Sequence, residues 1–267
     1  LILPTRRAVL AMLLAGCAHR PTLLTPAPTG APVRLGWRWV PGMRHTYRVT
    51  MQHTEARLST TRVEVWRYTA VALDPAGIVS LRGRLTGFGA QVTVDGVPLP
   101  DDTIEPVRQL AQDETVAEVE LSMSLTGRIV SCSAPSFDGA LPHRLLGSRL
   151  PSNAVLAGES WSDPSLAVPF TGILPLDASL SAEMTTALRS VESATNGWTA
   201  ELVHHGRLRT TTGGPVITLH GQTTWATDPG ALVSRRLEAR LQPDGDGPTP
   251  ASGVLTVTLR SEGSTDS

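Results

Sequence analysis

The sequence predicts a mainly β protein, an antiparallel curved sheet or half-open barrel carrying one or two short helices. Three observations predict it. Apolar residues recur at every second position over long segments, which puts one side of a strand in a core and the other in water. Turn pairs such as Asp95-Gly96 and Asn196-Gly197 divide the segments, because these residues tolerate the positive φ of tight hairpins. The 24 Gly and 21 Pro among 267 residues suit strands and turns rather than long helices.

Taken in order, Tyr47, Val49 and Met51 alternate with Thr46, Arg48, Thr50 and Gln52. Val79, Leu81 and Leu85 follow with Gly83 on the same side, then Phe88, Ala90, Val92 and Val94. Val119, Leu121, Met123 and Leu125 form the next segment, with Gly127 after it. The second half repeats the habit in Leu180, Ala182, Met184 and Leu188, then Trp198, Ala200 and Leu202. Ile217 and Leu219 lead to Trp225; Val233, Leu237, Ala239 and Leu241 come next, and Leu255, Val257 and Leu259 precede a polar tail, 261–267.

Two short helices interrupt this pattern. Asp102-Thr103 caps a run with Ile104, Val107, Leu110 and Ala111, and Pro106 falls in the first turn, where a missing N–H is tolerated. Asp138 precedes Leu141, Leu145 and Leu146. Both are expected as bridges or plugs of a sheet whose possible halves are 36–135 and 150–260. The segment Asp74-Pro75-Ala76-Gly77-Ile78-Val79-Ser80-Leu81-Arg82 parallels Asp228-Pro229-Gly230-Ala231-Leu232-Val233-Ser234-Arg235-Arg236 at a constant offset. Duplication of a β half and the shared demands of turns both account for that.

Charge and composition remove several functions. All 23 basic residues are Arg, against 24 acidic residues. A chain without Lys cannot run Walker-loop, Ser-Lys or Schiff-base chemistry. The balanced charge gives no basic footprint for nucleic acid.

The N-terminus carries an address. Arg6 and Arg7 precede the apolar run Ala8 to Leu14, then Ala15-Gly16-Cys17. The run is far shorter than the ~20 residues that cross a bilayer, and a basic region before a short apolar one is an export-signal layout. Leu14-Ala15-Gly16-Cys17 resembles a bacterial lipobox. That resemblance implies cleavage after Gly16 and acylation of Cys17. Thr5-Arg6-Arg7-Ala8-Val9-Leu10 also resembles the twin-arginine export motif, so both export routes stay open. Loss of residues 1–16 would take away two Arg and shift the formal charge from −1 to −3, so attraction to anionic lipid is not the anchor. Residues 17–35, with Pro21, Pro26, Pro28 and Pro32, then form a tether of ~3.1 Å per residue. The predicted order is a signal peptide (1–16), lipidated Cys17 and tether (17–35), and a β domain (36–260).

Leu150-Pro151, Val155-Leu156-Ala157-Gly158-Glu159-Ser160-Trp161-Ser162 and an early strand over Trp39 to Met51 resemble a signature of bacterial envelope lipoproteins. The resemblance implies an all-β envelope domain and no catalytic residues.

Catalytic and metal motifs are sparse. The seven His show neither His-Glu-x-x-His nor zinc-ribbon spacing. His204 and His205 are adjacent on a strand and so point to opposite faces; His220 on a neighbouring strand can meet one of them, which is the best metal arrangement available. Cys132, in Ile129-Val130-Ser131-Cys132, reads as a buried strand end. Gly158-Glu159-Ser160-Trp161-Ser162 imitates a nucleophile elbow but lacks its second Gly, and reads as a strand opening. Asp101-Asp102 and Asp113-Glu114 read as helix-end charges, and Asp244-Gly245-Asp246-Gly247 as a loop without the later Glu of a calcium site.

Six Trp exceed Tyr and Phe together. Trp37 and Trp39 would share one strand face, and the six either fill the gap beneath a curved sheet or line an apolar groove. The sequence therefore predicts no catalytic, metal or cofactor residues. It predicts a non-enzymatic lipoprotein of the bacterial envelope, membrane-held through Cys17 and facing the periplasm. An apolar small molecule or an envelope protein is its expected partner and nucleic acid is not; assembly through a sheet edge is the alternative, and a hydrolase whose site converges only in three dimensions is the third reading.

Overall fold

The structure, a computed structural model, describes residues 30, 32–113, 117–134, 137–173, 180–194, 197–210, 216–242 and 253–264. The strands are β1 (Arg44–Glu55), β2 (Leu58–Leu73), β3 (Ile78–Val94), β4 (Val97–Pro98), β5 (Glu118–Ser124) and β6 (Ile129–Cys132) in the first half. The second half contributes β7 (Ser160–Ser162), β8 (Leu180–Ala194), β9 (Gly197–Thr210), β10 (Val216–Ala226), β11 (Ala231–Gln242) and β12 (Val254–Ser264). Helices α1 (Asp101–Asp113) and α2 (Phe137–Arg144) and a 3-10 segment (Pro164–Ile173) complete the described elements.

All twelve strands join one antiparallel sheet in the order β6-β5-β3-β2-β1-β12-β11-β10-β9-β8-β7, with β4 beside β3. Pairing of β1 with β12 puts the first and last strands at the centre and makes the two halves one continuous surface. The edges β6 and β7 are not paired with each other, so the barrel is open.

The alternation predicted from sequence sets the two faces. Tyr47, Val49 and Met51 are buried while Arg48 and Gln52 are exposed, and β10 and β11 behave likewise. The pattern slips wherever a strand carries an extra residue. Leu85 and Phe88 both take the inner side because the register shifts opposite Val65 and Trp66. A second shift opposite Thr224 and Trp225 turns Leu232 inward and leaves Val233 exposed, so Val233 does not share the apolar face of Leu237 as expected. Such bulges bend a strand and raise its twist, which curves strands of 16 and 17 residues around the core.

A cap closes the inner side at one end of the sheet. Residues 34–43 are not a strand, and Pro41–Gly42 make a turn. They cross from the β5–β6 turn, where Trp37 N–H meets Leu125 O at 2.8 Å, to the β10–β11 turn, where Arg38 N–H meets Gly230 O at 3.0 Å. This corrects the expectation of a strand through Trp37 and Trp39: the backbone bonds go to turns, not to a ladder. Leu35 is already buried and Val33 bridges Val155, so the chain joins the fold before residue 36. Strand β12 likewise runs to Ser264, past the expected start of a loose tail, because ladder bonds do not require apolar side chains.

The two helices have different roles. Helix α2 and the turns after it carry Leu145, Leu146 and Leu150 into the core, together with Leu166 and Phe170 of the 3-10 segment, as a plug should. Helix α1 lies against β3 with Ile104 buried and Asp101, Asp102 and Glu105 exposed. It flanks the sheet and does not plug it.

Glycines on the inner face make room for large neighbours. A Cβ on Gly83 would sit 2.9 Å from the Tyr68 ring, and one on Gly206 would overlap both Met184 Sδ and the Glu183 carbonyl oxygen. Backbone cannot yield as a side-chain tip does, so Gly206→Ala is expected to destabilise by about 1–3 kcal/mol through overpacking. A shift in the urea midpoint without a change in slope would register it.

Candidate functional site

The inner face holds three distinct environments. Under the cap lies a tightly packed aromatic ladder. Trp37 stacks on Trp39 at 5.5 Å and meets Trp225 edge-on at 4.8 Å, and Trp66 meets His143 edge-on at 4.4 Å. Trp37, Trp39, Trp66 and Trp225 are buried, whereas Trp161 is half-buried and Trp198 is 55% exposed. Four of the six Trp therefore fill the gap beneath the curved sheet, one of the two roles expected of them.

A buried polar relay ties this cap to the sheet. Arg235, 1% exposed, donates from Nε to Thr223 Oγ1 at 3.0 Å and from Nη1 to the carbonyls of Leu145 and Gly147 at 2.5 and 2.6 Å. The Thr223 hydroxyl also bonds His204 Nε2 at 2.7 Å, and His204 Nδ1 bonds the Thr186 hydroxyl at 2.9 Å, one ring nitrogen of the neutral imidazole donating and the other accepting. Burial first, then the Arg235 charge, pushes the His204 imidazole down to about 3. Burial also lowers Arg235 to about 10, an effect opposed by Asp163, so it is charged at neutral pH. Asp163 accepts from Ser148 Oγ at 2.8 Å and Arg149 N–H at 2.9 Å, and also from Ser165 Oγ.

His143 makes a second buried contact, with Nδ1 2.8 Å from the Tyr68 hydroxyl and Nε2 without a partner. Burial lowers this imidazole to about 4. Both His side chains thus work as neutral, solvent-excluded struts.

Away from the cap the inner face opens. A mouth of about 210 Å³ is lined by His53, Ile217, Ala239, Leu241, Gly253 and Leu255, with Glu55 at its rim. Ile217 and Ala239 belong to the core while Leu241 and Leu255 are half-buried against it, so the mouth is where the apolar interior reaches the surface. On β2 the inner side carries a buried acid: Glu64, fully buried, accepts from Trp66 Nε1 at 2.6 Å and pairs with Arg62 at 2.5 Å.

The outer face brings His205 and His220 together, Nδ1 to Nδ1 at 3.0 Å, as the predicted strand pairing allows. His204 is on the opposite face in the relay. Among the described residues no group of three metal-ligating side chains forms, and Arg207 and Arg236 share the concavity with the pair.

Cys132 is half-buried rather than fully buried, because β6 is an edge strand, and it pairs with Leu121. Gly158 to Ser162 opens β7, with Trp161 Nε1 donating to Arg149 O at 2.7 Å. Asp101 and Asp102 sit in the first turn of α1, where Asp102 Oδ1 accepts from Thr103 N–H at 2.9 Å. The edges β6 and β7 have only four and three residues, which limits strand addition from a partner. Arg6, Arg7, Cys17, Glu114, Asn196 and the Asp244 to Gly247 loop lie outside the described residues. The relay and the mouth escape sequence reading because the register alone assembles them.

No protein-family model matches the chain, and no curated protein matches it. Among solved structures, a lipovitellin structure concerned with lipid–protein interactions matches with a TM-score of 0.51 at 12% identity. The match covers 85% of this chain and 26% of that one, so the chain spans about a quarter of lipovitellin. The likeness is one of fold. A Bacteroides fragilis protein described as exported aligns with a TM-score of 0.31 and 11% identity, over 87% of this chain and 100% of that one. A Parabacteroides distasonis protein described as a lipoprotein aligns with 0.32 and 12%, over 87% and 99%. No described helix is long and apolar enough to cross a membrane.

Proposed function

We propose that this chain is a non-enzymatic bacterial envelope lipoprotein that shelters the end of an acyl chain at the open mouth of its half-barrel. The mouth carries the reading: Ile217, Ala239, Leu241 and Leu255 form an apolar entrance continuous with the core. Its 210 Å³ is below the ~300–1,000 Å³ of pockets that enclose a whole small molecule, so it suits one chain end. Each methylene withdrawn from water contributes about 0.8 kcal/mol. The sheet fold shared with lipovitellin, whose structure concerns lipid contacts, agrees with this reading. The lipobox-like Leu14 to Cys17 supports a periplasm-facing anchor through acylated Cys17, with Arg6 and Arg7 serving export of the leader 1–16.

Native mass spectrometry after incubation with a long-chain fatty acid tests the mouth. A one-to-one adduct is expected, and the double variant Leu241→Arg/Leu255→Arg should weaken it at least tenfold, since an unpaired cation beside an apolar chain is costly to desolvate. Absence of saturable binding to the parent protein would reject the reading. Cell fractionation tests the anchor: Cys17→Ala should move the protein out of the membrane fraction, and a variant still in that fraction would reject acyl anchoring.

A further inference from the structure

The outer face of the second half has its own chemistry. Its shallow concavity of about 970 Å³ is lined by Arg189, Arg207, Arg236, Arg240, His205 and His220, with Glu238 the acidic residue among its lining. Arg189 is matched by Glu201 at 3.3 Å and Arg240 by Glu238 at 2.5 Å. Among the described residues Arg207 and Arg236 have no ion pair, nor does Arg260, which faces Ser234 from β12. This surplus of cations occurs in a chain whose formal charge is −1. Two imidazoles surrounded by guanidiniums are a poor cation site, because the local field opposes a metal.

We propose that this face docks on an anionic lipid surface through its phosphate groups. Guanidinium forks match phosphate oxygens two at a time. Arg207 on β9 and Arg260 on β12 are three strands apart, about 14 Å at the usual strand spacing. One phosphate ion cannot bridge that span, whereas neighbouring headgroups of a bilayer can. Val203, the bulkiest apolar side chain of the concavity, is half-buried. Attachment is therefore electrostatic and salt-sensitive. It uses the side of the sheet opposite the acyl mouth and stands whether or not that mouth takes a ligand.

The test is co-sedimentation of the full chain with phosphatidylcholine vesicles, with and without phosphatidylglycerol. The quantity read is the difference between the two compositions, which cancels any attachment through the apolar N-terminal run. The parent should prefer the anionic vesicles. Arg207→Glu/Arg236→Glu should lower that preference by more than about thirtyfold, since losing two basic residues near the surface is alone equivalent to about 2 kcal/mol. Arg128→Glu/Arg149→Glu, with the same change in net charge on the capped side, should retain most of it. Equal loss in both variants would overturn the proposal in favour of overall charge, as would no preference in the parent. Release by inorganic phosphate beyond that caused by chloride of equal ionic strength would overturn it in favour of a free-phosphate site. Unchanged thermal melting of the patch variant guards against misfolding, and Arg207→Gln/Arg236→Gln should give an intermediate loss.

Discussion

Arg235→Ala is expected to destabilise the protein by about 3–5 kcal/mol, seen as a fall in the urea midpoint. The guanidinium is the one cation fully buried among the described side chains, and its bonds cross from the sheet to the cap. Removing it leaves the carbonyls of Leu145 and Gly147 without their side-chain donor and Thr223 Oγ1 without the N–H that orients it. It also removes the positive charge that offsets buried Asp163. A neutral side chain of similar length separates packing from charge. Arg235→Met should recover part of the loss by filling the space but not the part due to the stranded acceptors. If Arg235→Ala shifted the midpoint by less than about 1 kcal/mol, the relay would not be what joins cap and sheet.

The same residue shows what could be read from the sequence. In Val233-Ser234-Arg235-Arg236-Leu237 the apolar alternation ending at Leu241 puts position 235 inside, so one of two adjacent Arg had to be buried. The long strands other than β2 were legible from such alternation, since side-chain period fixes the face; β2 was not, because Glu64 shares its inward side with Trp66, Tyr68 and Ala70. The bulges were present as slips of parity, from Leu85 to Phe88 and from Leu232 to Leu237, and these slips supply the curvature. The path of Trp37 and Trp39 was not legible, because its backbone partners, Leu125 O and Gly230 O, are distant in sequence and belong to turns. His205 facing His220 followed from strand order, but the bond of His204 to Thr186 and Thr223 depends on a three-strand register that local patterns do not encode. The mouth depends on the same register: Ile217, Leu241 and Leu255 are unremarkable alternating residues until β10, β11 and β12 bring them together.

Acid is expected to unfold the protein well above the range in which carboxylates titrate, because two buried imidazoles must stay neutral. An ordinary His titrates near 6.5 in the unfolded chain, whereas His204 is held at about 3 and His143 at about 4 in the fold. Between these limits the unfolded state binds more protons than the folded one, so stability rises with pH and is lost as pH falls below 6.5. Each site contributes about 1.4 kcal/mol per pH unit in that window, and the pair about 2.7. At pH 5 the loss relative to pH 8 should reach about 4 kcal/mol, a large share of the 5–15 kcal/mol typical of a domain. Because both folded values lie below 5, the loss at pH 5 is governed by the unfolded value. The physical reason is burial: both rings are cut off from water, which disfavours their charged form, and at His204 the nearby Arg235 charge adds to the effect. Urea midpoints measured from pH 8 to pH 5 would give the slope directly, and His204→Asn should halve it. A flat profile over that interval would show that the two imidazoles are hydrated in solution and would remove them as struts of the cap.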